Sequence, residues 1–369
     1  MMLKLYSIEA FSISVPLISP FKMAGTVLNS ADNLIVRVED GAGHTGWGEA
    51  SSAPTMTGET PEGMVAAAKF IASQLRGRRI DEINHITPLL DKAIVGNKGV
   101  KAAFETAILD LVGQITDTPM YDLLGGKLRD EAVILTMIAG SDLSTEIADA
   151  LVKRDAGFIA FKIKVGTNTP AQDLDRAGEI RRALGSEVRI SADANQAFSL
   201  QEALTFLEGA ADAGLSFVEQ PVSGSDLEAM AACARATTVS IGADEGFHHL
   251  DDIHRHHVCG AAAGGSLKMI KLGGPLAVMD GGRLMEGLSM HVNLAGKVAE
   301  TSIGSAAVAH MAAALPQLDW DTSLTNQYLV DDLVAEPITI CRGRIRPPDA
   351  PGLGVTPDET LLSRYRRIV

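Results

Sequence analysis

The chain has few aromatic residues and fewer cysteines. Phe, Trp and Tyr make up 4% of its 369 residues, so a core must be assembled from aliphatic side chains, alanine and methionine. The three cysteines, Cys233, Cys259 and Cys341, show no CxxC or CxxH spacing. That excludes a disulfide framework or a thiolate zinc site as the organising device and fits a reducing, cytoplasmic compartment. No apolar run approaches the ~18 uncharged residues of a membrane span. The amino terminus lacks the apolar stretch of a signal peptide. Positive charge is also short: 32 Lys and Arg against 46 Asp and Glu leave a formal charge of −14. That balance argues against nucleic acid and anionic membranes as partners. It leaves room for an anionic small molecule, because a bound cation reverses the field locally.

What is present changes character near residue 130. Before it, alternating residues 33–38 and 46–50 flank the turn Asp40-Gly41-Ala42-Gly43, which predicts a hairpin. Helical spacing follows over 60–75, with Pro61 near the first turn, and over 99–116. Strands followed by helices predict a small α+β domain over 1–128. From there short β-rich runs (132–138, 160–165, 188–192, 216–218, 239–242, 265–269 and 290–293) alternate with amphipathic stretches, the pattern of a parallel sheet. An open doubly wound sheet and a closed barrel both fit the alternation. No GxGxxG follows the first strand, and polar residues gather at one strand end after another, which favours the barrel. A barrel over 129–328 would leave a tail, 329–369, wrapping back over the first domain.

The strand ends carry the chemistry. Asp193, Glu219 and Asp244 close three consecutive strands and would converge at a barrel mouth. Each alone reads as readily as a helix cap or an ion-pair partner. Together they form a set of hard oxygen donors suited to Mg²⁺ rather than to a softer metal. Lys162 and Lys164 are two apart and share a strand face, and Lys268 arrives from across the ring. Lysines on two sides of a bound acid could remove a proton from one face and return it to the other, and a neighbouring cation would lower their pKa values toward neutrality.

These runs, Lys162-Ile163-Lys164-Val165-Gly166, Ala192-Asp193-Ala194-Asn195, Glu219-Gln220-Pro221, Ala243-Asp244-Glu245 and Leu267 to Gly274, resemble the enolase superfamily. Lysines ending strands two and six resemble its muconate lactonizing enzyme-like subgroup. Gly46-Trp47-Gly48-Glu49-Ala50 and Leu124-Gly125-Gly126 fit the same pattern. The resemblance implies an α/β fold, a modified TIM barrel (β/α)₇β with an N-terminal α+β capping domain. It implies Mg²⁺, with Mn²⁺ as a substitute, held by Asp193, Glu219 and Asp244. It makes Lys164 and Lys268 the acid and base, Lys162 a carboxylate contact, and Asn195 and Glu245 supports, with Glu245 beside Lys268. The expected reaction removes a proton α to a carboxylate through an enediolate, in a homo-oligomer.

Mandelate racemase-like branches place a His base after strand seven. This chain has Lys297 and Glu300 there, and His291 falls at the expected strand start. The resemblance to dipeptide epimerases extends to Asp319 and Asp321, an Asp-x-Asp that holds a substrate ammonium. Racemisation or epimerisation of an amino-acid derivative or dipeptide is therefore the leading expectation. Muconate-type cycloisomerisation and an o-succinylbenzoate synthase-like reaction are alternatives, and a non-catalytic ligand-binding barrel a distant one. Loops 21–26 and 50–59, with Thr26 and Thr57, are expected to close over the substrate; the first lacks an Arg, which speaks against Ala-Glu itself. The histidines between 248 and 257 are expected to spread over an exposed helix face.

Overall fold

The computed structural model describes residues 3–23, 26–80 and 82–367, with residues 22, 23 and 26 described by backbone alone. Its first part is a three-stranded antiparallel sheet of β1 (Ser7–Met23), β2 (Thr26–Glu39) and β3 (Thr45–Ser51), in that order. It is accompanied by the helices α1 (Pro61–Leu75), α2 (Ile86–Ala93) and α3 (Lys98–Thr116), and by a single turn at Met120–Leu123. The segment 21–26, expected as a loop, is the tip of the β1–β2 hairpin, with Ala24 and Gly25 outside the described residues.

The sequence Gly46-Trp47-Gly48 is a packing device. Alternation puts Gly46 and Gly48 on one face of β3. A Cβ at Gly48 would lie 1.9 Å from the Ala103 carbonyl oxygen, and one at Gly46 2.1 Å from that of Ala107. Only glycine lets α3 lie this close to the sheet. The helix is buried along most of its length between that sheet and the second part of the molecule.

The second part is a ring of eight parallel strands: β4 (Leu135–Met137), β5 (Ala160–Lys164), β6 (Arg189–Asp193), β7 (Phe217–Glu219), β8 (Ser240–Ala243), β9 (Gly264–Leu267), β10 (His291–Ala295) and β11 (Thr322–Ser323). A parallel bridge between Ile134 and Thr322 joins the last strand to the first. The crossovers contain α4 (Leu143–Asp155), α5 (Pro170–Leu184), α6 (Leu200–Ala210), α7 (Leu227–Arg235), α8 (Leu250–Val258), α9 (Pro275–Gly287) and α10 (Ser302–Ala314). This is the (β/α)₇β barrel. The helix starts are written locally: Asp142 with Thr145, Thr169 with Gln172, and Ser199 with Glu202 form capping boxes, each satisfying amide groups that the first turn leaves free.

The amino end of the barrel is packed shut. Trp320 stacks on Phe217 at 4.1 Å between ring centroids and on His291 at 5.1 Å. Arg189, the first residue of β6, grips Asp321 with a fork of bonds at 2.5, 2.6 and 3.1 Å. The chain after β11 returns to the first part: the Leu353 amide donates to Asp110 (2.7 Å), and the Arg367 amide donates to the Ser12 carbonyl (2.8 Å).

The histidine run differs from its expectation. His254 and His257 on α8 are exposed, but His256 is buried and meets the Phe247 ring edge-on at 5.0 Å. An aromatic pair inside the helix–barrel seam outweighs the polarity of the imidazole. Among the described residues no helix is long and apolar enough to cross a membrane.

Candidate active site

The strand register assembles the site. Lys164 pairs across the ladder with Asp193, Asp193 with Glu219, and Glu219 with Gly242, so Asp244 lies two residues further on the same face. Asp193, Glu219 and Asp244 are each at least 98% buried, at the carboxyl ends of β6, β7 and β8. Lys162 and Lys164 come from β5. Lys268 follows β9, four strands away in a ring of eight, and so reaches the row from the opposite side.

Every oxygen in this row has a donor. Asp193 accepts from Lys164 Nζ (2.6 Å) at Oδ2 and from the Asn195 amide (2.9 Å) at Oδ1. Glu219 accepts from Lys162 at Oε2 and from the Ser266 hydroxyl (2.6 Å) at Oε1. Asp244 accepts from Lys268 at Oδ2 and from Lys271 Nζ (2.6 Å) at Oδ1. Burial alone would push Asp193 and Asp244 toward protonation. The surrounding lysines outweigh it and hold Asp193 and Asp244 below the usual carboxylate range.

The lysines respond in kind. Burial would pull Lys268 down, but Asp244, Glu219 and Glu245 hold it well above the ordinary lysine value, and Glu219 and Asp193 do the same for Lys162. The lowered lysine pKa expected from a neighbouring cation is therefore not seen for Lys162 or Lys268, because anions outnumber cations around each. Glu245 bears on Lys268 through its charge, but its hydrogen bond goes elsewhere. Its carboxylate accepts from Asn195 Nδ2 (3.0 Å), while Lys268 bonds Asp244. Burial, with Asp244 and Asp193 nearby, pushes Glu245 up to about 7. Asn195 thus bridges, its other side-chain atom accepting from Lys164 at 2.5 Å.

The donor set fits a divalent cation. Three buried carboxylates on adjacent strands already hold positive charge, and the Lys162 nitrogen lies between Glu219 and Asp193, 3.9 Å from the latter. Hard oxygens with no thiolate or imidazole among them suit Mg²⁺ or Mn²⁺. As the side chains stand, no three acidic, imidazole or thiol groups among the described residues are drawn close enough to coordinate one ion without lysine displacement.

Asp319 and Asp321 lie elsewhere. Both precede β11 at the amino end of the barrel. Asp319 is taken by His291 Nδ1 and the Val292 amide, and Asp321 by Arg189. Carboxylates satisfied at the closed end cannot hold a substrate ammonium at the mouth, so that expectation is corrected. His291 is the first residue of β10, at the same closed end. Thr57 turns its hydroxyl back to the Ala53 carbonyl (3.3 Å), although its neighbours Thr55 and Met56 line a cavity with Gln196 and Glu245 beside the mouth. The side chain of Thr26 lies outside the described atoms.

Lys297 and Glu300 follow β10 at the open end and are both buried. Burial together with Lys268 and Lys164 draws Lys297 down to about 8; burial and Glu49 push Glu300 up to about 8. Glu49 itself comes from β3. It accepts from Asn33 Nδ2 (2.6 Å), the Thr301 amide (3.0 Å) and hydroxyl (2.7 Å), and the Gly304 amide (2.8 Å), fixing the start of α10 to the first domain.

Sequence reasoning gave no role to Lys271, Ser266, Asn293 or Glu49. Lys271 is completely buried in the turn Met269–Leu272, among three apolar residues, and also donates to the Ser266 carbonyl (2.9 Å). A lysine in an otherwise apolar tetrapeptide was its signal. Ser266 lies two residues before Lys268, on the same strand face; its one hydroxyl hydrogen is shared between Glu219 and Asn293 Oδ1 (2.9 Å).

Comparison with known proteins places this arrangement. Residues 7–125 match the model of the mandelate racemase/muconate lactonizing enzyme N-terminal domain, and residues 146–361 that of the enolase C-terminal domain-like family. Muconate cycloisomerase 1 of Pseudomonas putida is 32% identical, over 94% of each chain. The L-Ala-D/L-Glu epimerase of Bacillus subtilis is also 32% identical, over 96% of this chain and 97% of that protein. The crystal structure of muconate lactonizing enzyme from Pseudomonas fluorescens complexed with muconolactone superposes with a TM-score of 0.95 at 30% identity, covering 98% of this chain and 99% of that one. The chain belongs to the mandelate racemase/muconate lactonizing enzyme family of the enolase superfamily, and is one of its isomerases.

Proposed function

We propose that the chain moves a proton at the carbon α to the carboxylate of a small organic acid, racemising or epimerising it, with Lys164 and Lys268 as the opposed acid and base and Asp193, Glu219 and Asp244 as Mg²⁺ ligands. The observation that carries this is the approach of two lysines from β5 and from the end of β9, on opposite sides of one row of buried carboxylates. When bound, Mg²⁺ supplies positive charge for the substrate carboxylate and for the charge that collects there as the proton leaves. Lys164 serves one face, positioned by Asn195, and Lys268 the other. Lys162, one pleat deeper, holds Glu219 in place, and Lys271 keeps Asp244 ionised and in place. The packed amino end of the barrel keeps water out of the far side of the site.

A second reading, muconate-type cycloisomerisation, is favoured by a separate observation. With Asp319 and Asp321 at the closed end, nothing in the described site is set aside for a cationic nitrogen, and the similarity to muconate cycloisomerases is as high as that to the epimerase.

Incubation in D₂O with Mg²⁺ and a panel of carboxylic acids tests both. Deuterium entering an otherwise unchanged acid is the expected result, whereas loss of diene absorbance without washout in the acid would select ring closure. On a racemised substrate, Lys164→Ala and Lys268→Ala should each lose net turnover, by at least about 10²-fold, yet each should still exchange the α-proton of one enantiomer. Full turnover without either lysine would refute the two-base scheme.

A further inference from the structure

Lys268 and Lys271 share one carboxylate but hold it differently. Lys271 Nζ donates to Asp244 Oδ1 (2.6 Å), to the Asp244 carbonyl and to the Ser266 carbonyl (2.9 Å). Those three bonds use every hydrogen of its ammonium, and its side chain is completely buried. Lys268 makes one side-chain bond among the described residues, to Asp244 Oδ2. Its other two hydrogens have no acceptor there.

The turn that carries Lys271 is pinned on every side. The amides of Lys271 and Leu272 both donate to the Lys268 carbonyl, at 3.1 Å each. Met269, Ile270 and Leu272 are buried around it. Gly274, just past the turn, meets α3 so closely that a Cβ there would lie 2.2 Å from Glu105 Oε1. The backbone of Asp244 is equally fixed, because its amide and that of Gly246 donate to Oε1 of the buried Gln220, at 2.8 and 3.0 Å. What this leaves free is rotation of the Asp244 carboxylate about Cβ–Cγ, a broad two-fold torsion with little preference of its own. Lys271 settles that rotation by taking Oδ1, and so decides where Oδ2 and the Lys268 ammonium stand. Lys164 is outside this arrangement, since its partners are Asp193 and Asn195.

We propose that Lys271 is a positioning residue for Lys268. By fixing the plane of the Asp244 carboxylate it aims the Lys268 ammonium at one face of the substrate, and its loss disables that face alone. This rests on the two-base reading and adds to it a device that acts on only one of the two lysines.

The test has two arms, both on the full-length protein. In the first, the unsubstituted protein is trace-labelled with acetic anhydride and mapped by peptide mass. Lys271 should acetylate far more slowly than the exposed Lys69, and equal rates overturn the proposal whether or not any variant folds. In the second, α-proton exchange is followed at saturating Mg²⁺ with both enantiomers of the first acid of the D₂O panel to exchange. The enantiomer served by Lys268 is the one whose exchange is lost in Lys268→Ala. In Lys271→Met its exchange should fall by at least about ten-fold, as expected when a reacting group is misplaced by less than an ångström. The fall should lie in kcat rather than KM, and exchange on the Lys164 face should be unchanged. Lys271→Gln is scored in the same way if the methionine variant does not fold. Equal losses on both faces make Lys271 a structural contact and overturn the proposal, as does full exchange on the Lys268 face. If no acid exchanges with the unsubstituted protein, the two-base reading itself fails and takes the proposal with it.

Discussion

Asp244 holds two ammonium groups with two oxygens, and neither lysine has another carboxylate within bonding distance among the described residues. Asp244→Asn therefore strands two buried cations at once. We expect a loss of stability of about 3–5 kcal/mol, the cost of an uncompensated buried charge, read as a lower urea midpoint. Mg²⁺ affinity should fall by more than about ten-fold, read by calorimetry. Unchanged Mg²⁺ affinity in a folded variant would remove Asp244 from the ligand set. At this scale the sequence was legible where a residue closes a well-formed strand, as Asp193 closes β6 and Glu219 closes β7, because two-residue periodicity then fixes its direction. It misled at Asp319 and Asp321. Strand β11 is only Thr322–Ser323, has no apolar run to announce it, and its position decides to which end of the barrel the two aspartates belong.

At the scale of elements, acidic residues of one domain sit on helix starts of the other. Glu49 does so for α10, and Glu105 on α3 accepts from the Leu276 amide (2.8 Å) in the first turn of α9. A carboxylate there satisfies amides that the helix cannot and opposes its dipole. Glu49→Gln puts an amide N–H among donors. It should cost about 1–3 kcal/mol and loosen residues 296–301, seen as faster hydrogen exchange there, with a lower kcat/KM. Wild-type exchange in that segment would show that the clamp is dispensable. The motif containing Glu49 was recognised from sequence, but its purpose was not, since the partners Thr301 and Gly304 are more than 250 residues away. Helix caps are the local opposite: Thr169 and Ser199 bond residues only three positions away.

For the molecule as a whole, pH acts through the buried seam between the domains. Burial pushes Glu105 up to about 7 against a reference of 4.5, so the folded state favours its protonated form. Its contribution is fully present below pH 4.5 and is lost as pH rises through 7. His310 works in the opposite sense: burial draws it down to about 4, so it opposes folding as pH falls below 6.5. Between pH 5 and 8 the stability of wild type relative to Glu105→Gln should fall, by up to about 3 kcal/mol if the whole shift is expressed. Paired thermal melts at several pH values measure this, and parallel curves would refute it. The barrel itself was readable from the regular alternation of strand and helix, with strand limits up to three residues off. Its closure was less so, because it rests on the bridge at Ile134 and Thr322.

The stacked Phe217, Trp320 and His291, with Arg189 locked on Asp321, give the barrel a floor. A vessel with a floor has one doorway. Whatever enters must leave the same way, so the outgoing molecule occupies the path of the incoming one. Exchange is then a queue at a single threshold rather than a flow through a pipe.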